Sequence, residues 1–228
     1  MDSTMIAIQQ FVSKIRARFF KSQYLDPDFD KRGATTNEEI DLFWQDEQRV
    51  KEYLVQERLD FFQEVAHKIP YSEDVKSVID IGCGSGHVLF HYSKIHHIKE
   101  EALVACEISI HALLQVNKLL PRVNLLRVDL LLLPHLLNHK FDLAIATEIL
   151  EHLQQPQKYL KSIIEILNLG GKVLITIPNG DLDNWSGHVN FWNKNQFKEF
   201  LGKFNEIELV YSETLSSNDL LFVIKKVR

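Results

Sequence analysis

Val78-Ile79-Asp80-Ile81-Gly82-Cys83-Gly84-Ser85-Gly86-His87 decides the fold. A short apolar run comes first, three glycines follow at alternate positions, and residues 88–95 then carry apolar side chains at helical spacing. That order reads as strand, tight turn, helix. Glycine permits the bend and leaves no Cβ to obstruct a ligand. In an open α/β sheet such a turn lies beyond the carboxyl end of a strand, where ligands bind. A dinucleotide-binding turn prefers G-x-G-x-x-G, which seats a pyrophosphate on a helix N-terminus. Here the third glycine comes one residue early, and His87 stands where that pattern wants glycine. Asp80 also precedes the turn, and a carboxylate there suits a cationic ligand better than a pyrophosphate.

Outward from this turn the alternation continues. The sequence predicts strands over 77–81, 102–106, 123–128, 141–147 and 172–177, separated by helices such as those over 88–95, 109–120 and 156–167. Strands alternating with helices of this length make βαβ units and a parallel sheet. A helix over 193–200, with Asn193 as its candidate cap, precedes strands over 206–211 and 220–226, which only a Ser216-Ser217-Asn218 turn separates. Two strands without an intervening helix form an antiparallel hairpin. The expected fold class is therefore α/β: a Rossmann-like, doubly wound, mostly parallel seven-stranded sheet with an antiparallel C-terminal hairpin and an N-terminal helical extension.

Residues 1–70 have a different character, rich in aromatic and charged side chains and without β-branched runs. Ile8, Phe11, Val12, Ile15 and Phe19 predict a helix over 6–20. Asp26-Pro27-Asp28 and Arg32-Gly33 are turn signals. Thr36 is a candidate N-cap with Glu38 and Glu39 in the first turn. Helical spacing continues through Phe43, Trp44 and Val50, then through Leu54, Leu59, Phe62 and Val65 up to Pro70. The division expected is a helical extension or lid over 1–70 and a main domain over 71–228. Phe19, Phe20, Tyr24, Phe43, Trp44 and Tyr53, with Trp185 and Trp192, either line an apolar pocket or staple the helices to the sheet.

Composition narrows the partners. The 228 residues are 45% hydrophobic, enough for a sizeable core, and the formal net charge of −5 argues against a large nucleic-acid footprint. Two cysteines, Cys83 and Cys106, make no disulfide framework, so a reducing, cytoplasmic setting is expected. The N-terminal stretch lacks the apolar core of a signal peptide. No run approaches the roughly 18 apolar residues that span a bilayer; the richest, over 130–137, is broken by Pro134.

Asp80-Ile81-Gly82-Cys83-Gly84-Ser85-Gly86, with Glu107, Asp129, Thr147-Glu148 and Gly170-Gly171-Lys172-Val173-Leu174-Ile175, resembles the class I S-adenosylmethionine (SAM)-dependent methyltransferases over roughly residues 77–228. The resemblance implies SAM as cofactor. Asp80 would lie near its amino-acid end, and Gly82, Cys83, Gly84 and Gly86 would give it backbone access. Glu107, about 20 residues past the glycines, would accept from the paired ribose hydroxyls. Ile108 would pack on the adenine. Asp129, followed by Leu130, would accept from the adenine amino group, or else simply cap a helix. Thr147 and Glu148 would end the fourth strand beneath the reacting methyl. Cys83 reads as a small packing residue and not as a nucleophile.

Thr147-Glu148-Ile149-Leu150-Glu151-His152 is the second informative stretch. If it opens a helical turn, Glu148, Glu151 and His152 share one face at i, i+3 and i+4. Two carboxylates and an imidazole there can hold a divalent metal, with His188 as a further ligand. Such an ion would lower the pKa of an acceptor hydroxyl. The E-x-x-E-H arrangement resembles the ubiquinone-biosynthesis O-methyltransferases, which act on catechols. It also resembles the small-RNA 3′-terminal 2′-O-methyltransferases, which use two Glu and two His around magnesium. Other small-molecule methyltransferases carry the same pattern without metal. Three readings therefore stand: a metal at Glu148, Glu151, His152 and His188; His152 as a metal-free general base or acceptor-orienting group, with Glu151 and His188 beside it; or a solvated charge next to a packed imidazole.

The expected function is methyl transfer from SAM to an oxygen or nitrogen of a small-molecule acceptor, a metabolite or natural product. The alternatives are a metal-dependent RNA 3′-terminal 2′-O-methyltransferase and a methyltransferase-like binding subunit without catalysis.

Overall fold

The computed structural model describes residues 37–228. The expected helix over 6–20, the turn over 24–34, the Thr36 cap and the aromatic residues Phe19, Phe20 and Tyr24 lie outside the described residues.

Three short helices come first: α1 (Asn37–Gln45), α2 (Glu47–Tyr53) and α3 (Gln56–Lys68). The Asp46 side chain caps α2 by accepting from the backbone N–H groups of Gln48 and Arg49. Helix α3 buries Phe61, Phe62, Val65 and Ala66, and ends before Pro70. The alternating unit follows as β1 (Val78–Ile81), α4 (His87–Ile95), β2 (Leu103–Glu107), α5 (Ile110–Leu119), β3 (Asn124–Arg127), the single-turn α6 (Leu133–Leu136), β4 (Phe141–Thr147), α7 (Pro156–Glu165), β5 (Leu167–Ile177), α8 (Lys194–Leu201), β6 (Ile207–Thr214) and β7 (Leu220–Lys226).

The seven strands lie in the order β3-β2-β1-β4-β5-β7-β6. Strands β1 to β5 are parallel, and β7 runs antiparallel between β5 and β6. Because β1 pairs with both β2 and β4, the chain reverses its winding direction there, and a crevice opens beyond the carboxyl ends of β1 and β4. The glycine turn stands at that point.

Strand alternation sorts the core into two layers. Ile79, Ile81, Val173, Ile175 and Phe222 pack under α7 and α8 with Leu160, Ile163, Phe197 and Phe200. Val78, Leu143, Ile145, Leu174 and Val223 pack on the other face under α3, α4 and α5 with Phe62, Val65, Leu89 and Val116. All four residues of β1 are buried, as expected of a central parallel strand covered on both faces.

Two strand boundaries differ from the sequence expectation by more than two residues. Strand β5 begins at Leu167, because Leu167 pairs with Phe141 ahead of a register shift. Gly170, at φ +82°, absorbs that irregularity. Strand β6 runs on to Thr214, which pairs with Leu220 and closes the hairpin.

Candidate active site

The glycine turn takes the shape its residues require. Gly82, Gly84 and Gly86 have φ of +59°, +50° and +79°, the left-handed region that side chains disfavour. Gly86 also opens α4 as its N-cap. Beside them Asp80 is buried, and neither of its carboxylate oxygens has a hydrogen-bond partner. Burial, and then the nearby Glu107, hold its carboxyl well above the usual range.

Glu107 ends β2 and braces the turn. Its carboxylate accepts from the backbone N–H of Gly84 at 3.1 Å, Ile108 at 2.7 Å and Ser109 at 3.2 Å. Burial raises its pKa, and these three N–H donors pull it back. Asp129 accepts from Leu131 N–H at 2.9 Å and so caps the turn at Leu130–Leu132. Cys83 is half-buried, and burial raises its thiol well above the ordinary value, as suits a packing residue.

The N-terminal helices roof this end of the crevice. Trp44 Cζ2 lies 3.0 Å from where a Cβ on Gly84 would stand. The Ser109 hydroxyl, which caps α5, donates to Asp41 of α1 at 2.6 Å. The Phe62 ring of α3 stacks on His87 at 5.7 Å.

Beyond β4 the local geometry corrects the expectation of one shared helical face. Glu148 has φ +53° and stands outside the turn at Leu150–His152, which is a 3-10 turn of three residues. Its carboxylate accepts instead from the buried Thr176 hydroxyl of β5 at 2.8 Å. Glu151 is 1% exposed, and neither carboxylate oxygen has a hydrogen-bond partner. The Glu151 carbonyl accepts from Val189 N–H at 2.9 Å and Asn190 N–H at 3.0 Å, which ties the loop after β5 to the site. That loop delivers His188. Ligand atoms of Glu151, His152 and His188 all lie within 4.8 Å of one another; Glu148 is not among them.

Both imidazoles are anchored through Nδ1. His188 Nδ1 lies 2.6 Å from Asp183 Oδ2, and His152 Nδ1 lies 3.2 Å from the Gly187 carbonyl. Trp185 stands edge-on to both rings, at 5.7 Å from His152 and 4.7 Å from His188. Burial, and then His188, lower the His152 pKa to about 4, so its imidazole is neutral at physiological pH. Burial lifts both acids, reinforced by Asp219 at Glu148 and by Glu148 at Glu151; the Arg58 guanidinium opposes both shifts. Arg58 itself lies over the Tyr53 ring, 4.8 Å from its centroid.

Sequence reasoning missed Arg58, Thr176, Asp183 and Asp219. Asp183 carried a readable signal, a carboxylate five residues before His188 in the same loop. The other three reach the site only through tertiary packing.

The glycine turn at the switch point of this strand order defines the class: a class I, SAM-dependent methyltransferase. The chain belongs to the methyltransferase-domain family, whose model matches residues 43–205. No curated protein matches the sequence. Among solved structures, the N-methyltransferase NodS of Bradyrhizobium japonicum WM9, in complex with S-adenosyl-L-homocysteine (SAH), aligns with a TM-score of 0.64 at 17% identity, over 85% of this chain and 100% of that one. A methyltransferase bound to the Haloferax volcanii Trm112 activator aligns with a TM-score of 0.67 at 14% identity, over 83% and 98%. The plantazolicin methyltransferase BpumL, also with SAH, aligns with a TM-score of 0.62 at 13% identity, over 97% and 100%. No helix among the described residues is long and apolar enough to cross a membrane.

Proposed function

We propose that this methyltransferase transfers the methyl group of SAM to an oxygen or nitrogen of a small metabolite or natural-product acceptor. The observation that carries the cofactor half is Asp80: a buried, unpartnered carboxylate beside a turn free of side chains. A buried charge of this kind needs a countercharge, and the ammonium at the amino-acid end of SAM supplies one. Gly82, Cys83, Gly84 and Gly86 then provide the approach. Glu107 retains lone pairs for ribose hydroxyls beyond its three backbone contacts. Ile108, Asp129 and Leu130 stand at the adenine end, and Thr147 and Glu148 at the methyl end.

In the reaction the acceptor lone pair attacks the methyl carbon, and the C–S bond breaks with its electrons passing to sulfur. SAH leaves, and the acceptor loses a proton. Alignment supplies most of the rate enhancement. His152, neutral and at the same crevice, is the candidate proton acceptor, with Glu151 and His188 as its neighbours. Of the extension or lid expected over 1–70, the described part from Asn37 onward is assigned the role of covering the domain over 71–228, supported by Trp44 above Gly84 and by Asp41 on Ser109. The likeness to NodS, named an N-methyltransferase, and to BpumL, named for plantazolicin, supports a small acceptor. The two free thiols fit a cytoplasmic setting.

RNA 3′-terminal 2′-O-methylation is the second reading, favoured by the convergence of Glu151, His152 and His188. Calorimetric titration with SAH tests the cofactor assignment, and absence of binding sinks it. Transfer of labelled methyl from SAM to a panel of amine, phenol and catechol acceptors, with RNA 3′ ends as a separate arm, decides the acceptor.

A further inference from the structure

We infer that the methyl acceptor is an amine with an apolar body: it enters the crevice as an ammonium ion, Glu148, Glu151 and Asp219 receive the charge, and the loop bearing Leu182, Trp185 and Phe191 receives the body. This names the acceptor class within the function proposed above and rests on that reading.

The acids come from separate elements. Glu148 and Glu151 follow β4, and Asp219 directly precedes β7, whose first residue, Leu220, pairs with Ile177 at the carboxyl end of β5. The hairpin tip holds Asp219 in place: the Ser217 hydroxyl donates to its Oδ2 at 2.7 Å, and Leu215 N–H donates to its carbonyl at 2.8 Å. Ser216 N–H donates to Glu64 of α3 at 3.1 Å, and the same helix carries Arg58. Burial raises all three carboxyls; after burial, Asp219 acts most strongly on Glu148, and Glu148 on Glu151. The Arg58 guanidinium opposes all three shifts, yet Glu151, 1% exposed, keeps both carboxylate oxygens without a hydrogen-bond partner. A buried carboxyl in that condition is sustained by a proton or by a cation. Tyr53 ties this end to the glycine turn. Burial raises its phenol, Arg58 opposes, and Glu148, Glu151 and Glu107 add to the rise, so acids from both ends face one crevice.

Charge decides between acceptors. A phenol or alcohol turns anionic as it gives up its proton to attack, and the three acids oppose that change. An amine nitrogen turns positive as it attacks, and the same acids favour it. His152 is neutral and adds no repulsion, and its Nε2 lies 3.6 Å from Glu151 Oε1. The ammonium sheds one proton to this pair, which frees its lone pair. The N–C bond then forms as the C–S bond breaks, the methylated nitrogen carries the positive charge, and the shed proton passes to solvent.

The apolar body has its own surface. Leu182, Trp185 and Phe191 are 66%, 56% and 45% exposed, all on the loop after β5. Large apolar side chains gathered on one exposed loop mark a ligand surface. The Trp185 ring stands 5.7 Å from His152 and the Phe191 ring 6.3 Å from His188, so this surface adjoins Glu151 through the imidazoles.

The test titrates SAH-loaded full-length protein by calorimetry with pairs that share a body and differ in the head: phenethylamine against phenethyl alcohol, tryptamine against tryptophol, and hexylamine against hexanol. The amine should bind at least about tenfold tighter than its alcohol. Glu151→Gln and Asp219→Asn, both nearly isosteric, should keep the circular dichroism spectrum and the SAH affinity. Each should lower amine affinity at least about tenfold and leave that of the alcohol unchanged. Trp185→Ala should weaken amine and alcohol alike. Amines that bind no better than their alcohols overturn the inference, as does failure of every amine to bind or amine affinity unaltered in both carboxyl variants. SAH titration of the same samples separates the two readings: SAH affinity without a preference for amines removes the acceptor class alone, and absence of SAH affinity removes the function proposed above.

Discussion

In the proposed function, Asp80 trades stability for binding. Its folded-state pKa is raised by burial and by Glu107, so the folded protein holds that proton to a higher pH than the unfolded chain does. Stability is therefore greatest while Asp80 is protonated, and is lost as pH rises through the raised value. Asp80→Asn removes the penalty. At neutral pH the ligand-free variant should melt higher, by about 2–4 °C for each kcal/mol relieved in a domain of this size, while SAH affinity falls at least about tenfold through loss of the ammonium partner. Scanning fluorimetry with and without SAH checks both; an unaltered affinity removes Asp80 from the cofactor site. Gly84→Val should lose SAH binding and melt lower. A branched side chain at φ +50° costs roughly 1–2 kcal/mol, and its Cβ would meet the Trp44 ring at 3.0 Å. Asp80, Gly84 and Glu107 were legible in sequence because one strand, one turn and a fixed spacing define them. Thr176 and Asp219 were not, since each reaches the site from a strand or hairpin whose position only the finished sheet determines.

At the level of elements, local chemistry predicted most of the chain. Asn193 caps α8 with a reciprocal capping box: its side chain accepts from Gln196 N–H, and the Gln196 side chain accepts from Asn193 N–H. Asn193→Ala should cost about 1 kcal/mol, read as a lower urea midpoint at unchanged slope, with SAH affinity unaffected because α8 packs on the far side of the sheet through Phe197 and Phe200. A loss of SAH affinity would mean that α8 positions the loop bearing His188. Elements went astray where tertiary pairing outweighed local preference. The expected helix over 156–167 and strand from 172 leave Gly170-Gly171 between elements, yet pairing of Leu167 with Phe141 carries β5 through them. Glu148, Glu151 and His152 have helical spacing, yet the bond from Thr176 and a left-handed Glu148 leave only the Leu150–His152 turn. The spacing brought two of those three side chains to the cluster, and the loop after β5 supplied the third donor.

Across the described molecule, the carboxyl ends of the strands gather buried and half-buried acids without enough countercharge among the described residues. Asp80, Glu107, Glu148, Glu151 and Asp219 all have pKa values raised chiefly by burial. Each contributes stability that is present at low pH and lost as pH rises through its folded value. Four imidazoles oppose them: His87, His91, His96 and His152 are lowered by burial, so their contribution is present above the ordinary histidine value and is lost as pH falls toward the folded one. Asp142, at the other end of the sheet, acts in the same direction as the imidazoles. Burial pushes its pKa up, but bonds from Lys76, Ser77 and Asn168 outweigh that and bring it below the usual value. The ligand-free protein should therefore be most stable between these limits and weaken toward alkaline pH. A ligand with an ammonium group supplies part of the missing positive charge, and the benefit grows as Asp80 ionises. The melting-temperature increment from saturating SAH should then be larger at pH 8 than at pH 5.5, with SAH binding at the lower pH releasing a proton from Asp80. A full proton released corresponds to about 1.4 kcal/mol of binding free energy per pH unit. Calorimetric scans at the two pH values, together with titrations in buffers of different ionisation enthalpy, measure both quantities. An SAH increment that does not vary with pH in wild-type protein would show that the crevice holds its cofactor without calling on these acids, whereas an increment that grows with pH and flattens in Asp80→Asn ties the pH profile of the whole fold to one side chain at the end of β1.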